Sequence, residues 1–412
     1  MTTQISVPAE GTQRLKMAEK KATTAAVLTG AKAAGRLQFV DNLRVFLTIL
    51  VVLHHLAITY GAGGSWFYLE RPTTALTEIL LSLFNTLNHF YFMGLFFLIA
   101  GYFVPGSLDR KGTWQFVKDR LVRLGIPFLV FAYLISPFTS FVWRIQHGQW
   151  EGNLWQFYTW SLRNLKFSSG PLWFVEVLLI FSAIYALGRV VLDWAKSRPG
   201  EGGEKTGPAE LRPLTHRMIL GFVLALAPAS FITRLFFPLD TDWHNLQFSM
   251  FPQYILLFAA GILAYRRGWL PDLPSSVRRA WSTAAVVCIV ALPLMMVLAG
   301  EDDAPFKGGL TAQSMLLSIW EAVYCPSMGI LLLSLFRWRF DCQENLGRFF
   351  SKNAYTVYII HAPVLVGLAW LLKDISIYPL LKYSLVAPVA VAVCFLASHY
   401  LVRRIPLADQ VL

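Results

Sequence analysis

From Val40 onward the chain alternates long apolar runs with short polar or charged segments. A bilayer core of about 30 Å is crossed by a helix of about 20 apolar residues. Measured against that length, the sequence predicts ten spans, at roughly 40 to 60, 77 to 104, 125 to 143, 171 to 193, 217 to 237, 250 to 265, 281 to 299, 313 to 336, 354 to 372 and 380 to 402. The second is long enough to contain a bend, and the sixth is short. The expected fold is all-α, a polytopic membrane protein with about ten transmembrane helices. Residues 1–36 are polar and rich in Ala, Thr and Lys, without an apolar core, so they read as a cytoplasmic tail and not as a cleavable signal peptide. Residues 37–404 form the membrane domain, and residues 405–412 a second cytoplasmic tail.

Composition supports the same class. Of 412 residues, 56% are hydrophobic and only 15% charged, and the mean hydropathy is +0.51. A soluble domain of this length does not hold so much apolar surface. The net charge of +12 does not imply nucleic acid, because the basic residues recur in short clusters between apolar runs and form no single binding face. Those clusters set the orientation. "RKGTWQFVKDRLVR", "KSRPGEGGEKTGPAELRPLTHR", "RRGWLPDLPSSVRR", "RWRFDCQENLGRFFSK" and Arg403/Arg404 alternate with loops holding only Arg71, Arg144, Arg163, Lys166, Lys307, Lys373 and Lys382, among which "PLDTDWHN" and "GEDDAP" are acidic. The positive-inside rule then puts both termini in the cytoplasm. The Gly/Pro/Glu/Lys-rich loop from Lys196 to Arg212 is the expected flexible divider between two groups of helices. Cys288, Cys325, Cys342 and Cys394 have no metal-ligand spacing and read as reduced, structural thiols. No internal repeat of the kind found in many transporters is evident.

The first span, "LRVFLTILVVLHHL", carries an arginine and two histidines. The eleven steps from Arg44 to His55 turn a helix through about 1100°, within roughly 20° of three full turns, and climb about 16 Å. Both side chains therefore share a face, with Asp41, Thr48 and Thr59 near the same stripe and His54 about 100° away. Ionisable groups at such depth usually face a bundle interior or a water-filled cavity. The plainer account of Arg44 alone is a side chain snorkelling to headgroups beside Asp41, and of His54 a structural histidine. His55, aligned with Arg44, is the candidate general base, since an imidazole can take a proton from a hydroxyl as it attacks a carbonyl.

Other polar positions stand out less. Arg120 and Arg123, three apart, fall on one face of a helix at the cytoplasmic rim, where two guanidiniums suit phosphate oxygens and also satisfy the positive-inside rule. Glu176 lies within about two turns of the outer interface, and its role is open between orienting a histidine, binding a polar acceptor and pairing with a basic group. His361, two residues before Pro363, reads as a helix-bridging or cavity-lining histidine; Asn88, His89 and Glu321 read as packing or cavity-lining groups. No HExxH, Walker A, nucleophile elbow or paired CxxC occurs, so metal, nucleotide-hydrolysis and covalent serine mechanisms lack support.

Taken in order, these motifs resemble the acyltransferase-3 family of integral membrane acyltransferases. "RVFLTILVVLHH" fits its arginine, ten residues, histidine motif, with Arg44 and His55 as the fixed members. "FFLIAGYFV" resembles its second span, with Ala100 where relatives often have serine; "RLVRLGIP" resembles its Arg-x-x-Arg element; "GPLWFVEVLL" and "YTVYIIHAPV" resemble later signatures. "FVDNLRVF", "FMGLFFLIAGYF" and "RLVRLGIPFL" together resemble the glucan biosynthesis protein C-like branch, which modifies periplasmic glucans with succinyl groups. The resemblance covers Leu37 to Arg404. It implies a bacterial inner-membrane enzyme moving an acyl group from cytoplasmic acyl-CoA, acetyl-CoA or succinyl-CoA, to a hydroxyl of an envelope carbohydrate. It carries His55 over as general base and Arg44, Arg120 and Arg123 into donor handling or site architecture; beside it, Glu176 is a candidate to orient acceptor or imidazole, and no metal is expected. A transporter or flippase, and a binding or sensory protein on the same scaffold, remain the alternatives.

Overall fold

The computed structural model describes residues 37–196, 212–299, 304–406 and 408–411; the terminal tail to Arg36 and most of the Lys196–Arg212 loop lie outside the described residues. Among the described residues there is no strand, and ten helical segments are long and apolar enough to cross a membrane. In chain order the main helices are α1 (Gln38–Tyr60), α2 (Ala75–His89), α3 (Phe92–Lys111), α4 (Thr113–Gln146), α5 (Leu154–Arg163), α6 (Trp173–Lys196), α7 (His216–Phe236), α8 (Phe251–Arg267), α9 (Ser275–Ala299), α10 (Ala312–Arg339), α11 (Asn345–Leu371) and α12 (Pro379–Tyr400). The expected bend in the second span is the break between α2 and α3 at Phe90 and Tyr91. Asn88 closes it: its side chain donates to Phe84 O at 2.8 Å and accepts from the Tyr91 hydroxyl at 2.9 Å.

Helices α1, α2–α3, α10 and α11 are the most buried, whereas α6, α7, α9 and α12 stand on the perimeter with Leu187, Leu224, Val290 and Leu385 exposed. Large apolar side chains facing outward are what a bilayer requires of a lipid-facing wall. α3 packs along α8 through paired glycines. A Cβ on Gly101 would come within 2.2 Å of Phe258 O, and one on Gly261 within 2.1 Å of Leu98 O. That backbone approach accounts for the glycine of "FFLIAGYFV", because close helix crossings in membranes need small residues at the contact.

The third span, α4, is not regular. It widens into π-helical turns at Leu121–Gly125 and Phe131–Ile135. Pro127 and Pro137 follow these turns, and a proline has no N–H for the carbonyl four residues before it. The carbonyl left by Pro127 belongs to Arg123, and it accepts from the Tyr355 hydroxyl of α11 at 2.6 Å. The sequence thus frees a backbone group of the Arg-x-x-Arg element and supplies a partner from another helix.

The charged helix ends collect on one face. Asn42, near the start of α1, donates to Phe340 O at 2.7 Å and Cys342 O at 3.0 Å beyond the end of α10. Asp109 receives Arg189 and Arg266, each at 3.1 Å, and Arg403 donates to Lys352 O at 3.0 Å. Cys288, Cys325 and Cys394 are buried free thiols, and Cys342 is exposed.

Candidate active site

The α1 helix runs unbroken from Gln38 to Tyr60, so the alignment of Arg44 with His55 survives in three dimensions, about 16 Å apart along the axis. At one end, Arg44 lies within electrostatic reach of Arg120 and of Tyr355, and Arg120 within reach of Arg123. The structure therefore brings together the three arginines singled out in the sequence. The helix between Arg120 and Arg123 is not regular, since a π turn begins at Leu121: Arg120 is partly buried, with its guanidinium 5.1 Å from the Phe116 ring centroid, and Arg123 is exposed. Arg44 is half-exposed and 4.0 Å from Asp41. The stripe threonines turn back onto their own helix, Thr48 donating to Arg44 O at 2.9 Å and Thr59 to His55 O at 3.2 Å.

At the other end four histidines form one cluster of rings. His55 stacks on Trp66 with ring centroids 3.9 Å apart and planes 13° from parallel, and His361 lies 5.3 Å from His55. His54 touches the edge of His55 at 5.4 Å and faces His89 at 6.4 Å and Phe92 at 5.2 Å. His361 does not bridge helices through its bonded nitrogen. Its Nδ1–H donates to Tyr358 O of its own helix at 2.7 Å, which leaves a lone pair on Nε2 of the neutral ring. That Nε2 and the Nδ1 atoms of His54 and His55 are buried with no hydrogen-bond partner among the described residues. Here the geometry goes beyond the sequence reading: the rings of His54 and His361 both pack beside His55.

Glu176 is placed differently. It is partly buried in the first turn of α6, its electrostatic neighbour is His244 in the loop before α8, and among the described residues it makes no ion pair. The start of its motif does reach the site, since the Tyr358 hydroxyl donates to Pro171 O and the Phe174 ring lies 6.0 Å from Tyr358. Among the described residues no group of three or more His, Cys, Asp and Glu side chains is placed to hold a metal ion.

Three charged groups that matter to the architecture are not recognisable as partners in the sequence. Arg234 of α7 and Glu321 of α10 form an ion pair with no exposure on either side chain. Arg234 also donates to Ser318 at 2.9 Å, and Gln253 donates to Glu321 at 3.2 Å and to Phe90 O at 2.7 Å, tying the pair to the α2–α3 break. Lys382, expected in an outer loop, is buried at the start of α12. An arginine inside "FITRLF" and a lysine inside "LLKYSLV" are the available signals, since ionisable residues within a span call for a partner.

Comparison with known proteins bears on the same region. A family model described as an acyltransferase domain matches residues 37–399, which include every residue of both clusters. Glucans biosynthesis protein C from Salmonella agona and that from Salmonella enteritidis are each 25% identical to this chain over 345 residues, covering 80% of it and 83% of the relative. No solved structure matches the chain.

Proposed function

This chain belongs to the acyltransferase-3 family of membrane acyltransferases, and we propose that it moves an acetyl or succinyl group from acyl-CoA to a hydroxyl of a glucan or related envelope carbohydrate. The observation that carries this reading is that α1 carries Arg44, one of three neighbouring arginines, at one end and His55, within a cluster of histidine rings, at the other. Guanidiniums at Arg44, Arg120 and Arg123 suit the phosphates of CoA, and the flexible pantetheine arm would lead the thioester along α1 toward His55. The acceptor hydroxyl would give its proton to His55 as its oxygen bonds to the thioester carbonyl carbon. Collapse of that adduct breaks the C–S bond, and the proton passes to the leaving CoA thiolate. The basic face, by the positive-inside rule, is the cytoplasmic one of the bacterial inner membrane, so the histidines lie toward the opposite surface. The relatives' name, which refers to glucans, supports a carbohydrate acceptor.

Donor and acceptor sites at opposite ends can be separated by kinetics. Replacing both arginines (Arg120→Gln with Arg123→Gln) is expected to raise KM for acyl-CoA by about tenfold or more, since each charge-assisted hydrogen bond contributes about 1.5–3 kcal/mol. KM for the glucan should stay within about twofold of its natural value. Unchanged donor saturation would remove the pair from the CoA site, and solute flux without acceptor-dependent CoA release would favour transport instead.

A further inference from the structure

We propose that Trp66, clamped in place by Lys382 and Glu70, is a positioning residue that sets the ring plane of His55 and shields one face of it from water. The proposal rests on the acyl-transfer reading of the His55 site. His55 lacks the feature that usually orients a catalytic imidazole: no carboxylate or carbonyl among the described residues takes its Nδ1. What the ring has instead is a flat aromatic face 3.9 Å away. Trp66 is only 6% exposed and lies 6.2 Å from His361 with planes 16° apart, so three rings stand nearly parallel around the candidate reacting atoms.

The loop that carries Trp66 is built to return. Gly61 and Ala62 both donate to Ala57 O, at 3.0 and 2.8 Å, as α1 ends, and Glu70 N donates to Thr59 O at 2.8 Å. Residues between these points therefore form a closed loop whose neck is pinned to the last turn of α1, which brings Trp66 back over His55. A side chain at Gly61 would not fit, since its Cβ would lie 2.8 Å from Thr73 Oγ1 and 2.9 Å from Thr77 Cγ2. The flanks are tied as well, Gly63 N to Ser82 at 3.0 Å, Leu69 N to Gln146 at 3.2 Å and Arg71 to Ala62 O at 3.2 Å.

The strongest tie is Lys382. Its ammonium uses all three donors, on Glu70 Oε1 at 2.6 Å, Leu372 O at 2.7 Å and Ile375 O at 2.9 Å, and it sits 5.7 Å from the Tyr60 ring. Lys382 is 1% exposed, so Glu70 is the counter-charge that makes its burial tolerable, and the pair joins the exit of the loop to α11 and α12. Loosening this clamp lets Trp66 swing away while His55 stays on its helix. A displacement of about 1 Å at a reacting group can cost 10²-fold in rate.

The test uses the full chain in lipid nanodiscs with acetyl-CoA or succinyl-CoA and glucan, comparing the natural sequence with Trp66→Ala, Trp66→Phe and Lys382→Met after thermal melts have established folding. Trp66→Ala and Lys382→Met should lower kcat for transfer by about tenfold to 10²-fold, leave KM for acyl-CoA within about twofold, and raise acceptor-independent acyl-CoA hydrolysis relative to transfer. Trp66→Phe keeps a flat face and should retain kcat within about threefold. If Lys382→Met does not fold, the two Trp66 variants decide alone. Natural kcat in Trp66→Ala, or Trp66→Phe as impaired as Trp66→Ala, would overturn the proposal. An inactive natural sequence would overturn the acyl-transfer reading beneath it, which is a separate and distinguishable failure.

Discussion

Replacing His55 with alanine is expected to lower acyl transfer by about 10²- to 10⁴-fold, the usual contribution of a positioned general base, while the protein still inserts and folds. The fold should tolerate the change because the His55 ring makes no side-chain hydrogen bond among the described residues, and the substitution removes chiefly its stacking on the Trp66 ring. Two neighbours serve as controls. His54→Ala should be milder, since His54 turns toward His89 and Phe92 rather than into the stack with Trp66. His361 is the competing base, because its Nδ1–H is fixed on Tyr358 O and its Nε2 lone pair is unpartnered among the described residues. With His55 as the base, His361→Gln should impair transfer less than His55→Ala. Rates measured with saturating acyl-CoA and glucan decide the order, and the reverse order would move the base to His361.

Removing the carboxylate of Glu321 is expected to destabilise the protein by about 3–5 kcal/mol, the usual cost of leaving a buried charge without its partner. The Arg234 side chain has no exposure, and its side-chain contacts besides Glu321 are neutral: Ser318, the sulfur of Met250 and the Phe90 ring. Glu321→Leu should therefore lower the melting temperature sharply in detergent or nanodiscs, and Arg234→Met should do the same by stranding the carboxylate. The double variant removes both charges and should melt above either single one, since a buried ion pair can be replaced by apolar groups at little net loss. Additive losses in the double variant, or single variants that melt like the natural protein, would show that the pair contributes nothing of this kind. The effect should reach the site, because Gln253 connects Glu321 to Phe90 at the α2–α3 break, and His54 and His89 flank that break.

The span pattern is legible in the sequence because it depends on one quantity, apolar length, and the helices found at Gln38–Tyr60, Ala75–Lys111 and Asn345–Leu371 follow directly from it. The Arg44–His55 alignment is legible for a similar reason: a regular helix fixes angle from spacing alone. What sequence spacing cannot supply is partnership between helices. Spacing assumes a regular helix at Arg120 and Arg123, where the structure has a π turn. His361 carries no sign of its closeness to His55, because contacts between α1 and α11 are set by packing of residues some 300 positions apart. Trp66 is invisible as a site residue, since its loop has no hydrophobic period and its position depends on a lysine 312 residues from Glu70. The same holds for Arg234 and Glu321, each of which is visible as an intramembrane charge and neither as the partner of the other.

The central claim is that acyl groups enter from the arginine face and leave on carbohydrate by way of His55. The direct measurement supplies radiolabelled acetyl-CoA and, separately, succinyl-CoA to the cytoplasmic side of sealed vesicles of known orientation that hold glucan. Label in the carbohydrate is then followed for the natural sequence and for His55→Ala. The account predicts label with at least one donor, released CoA in equal amount, and loss of both with His55→Ala. Label that persists in His55→Ala, or glucan crossing the membrane with no label and no released CoA, would contradict it.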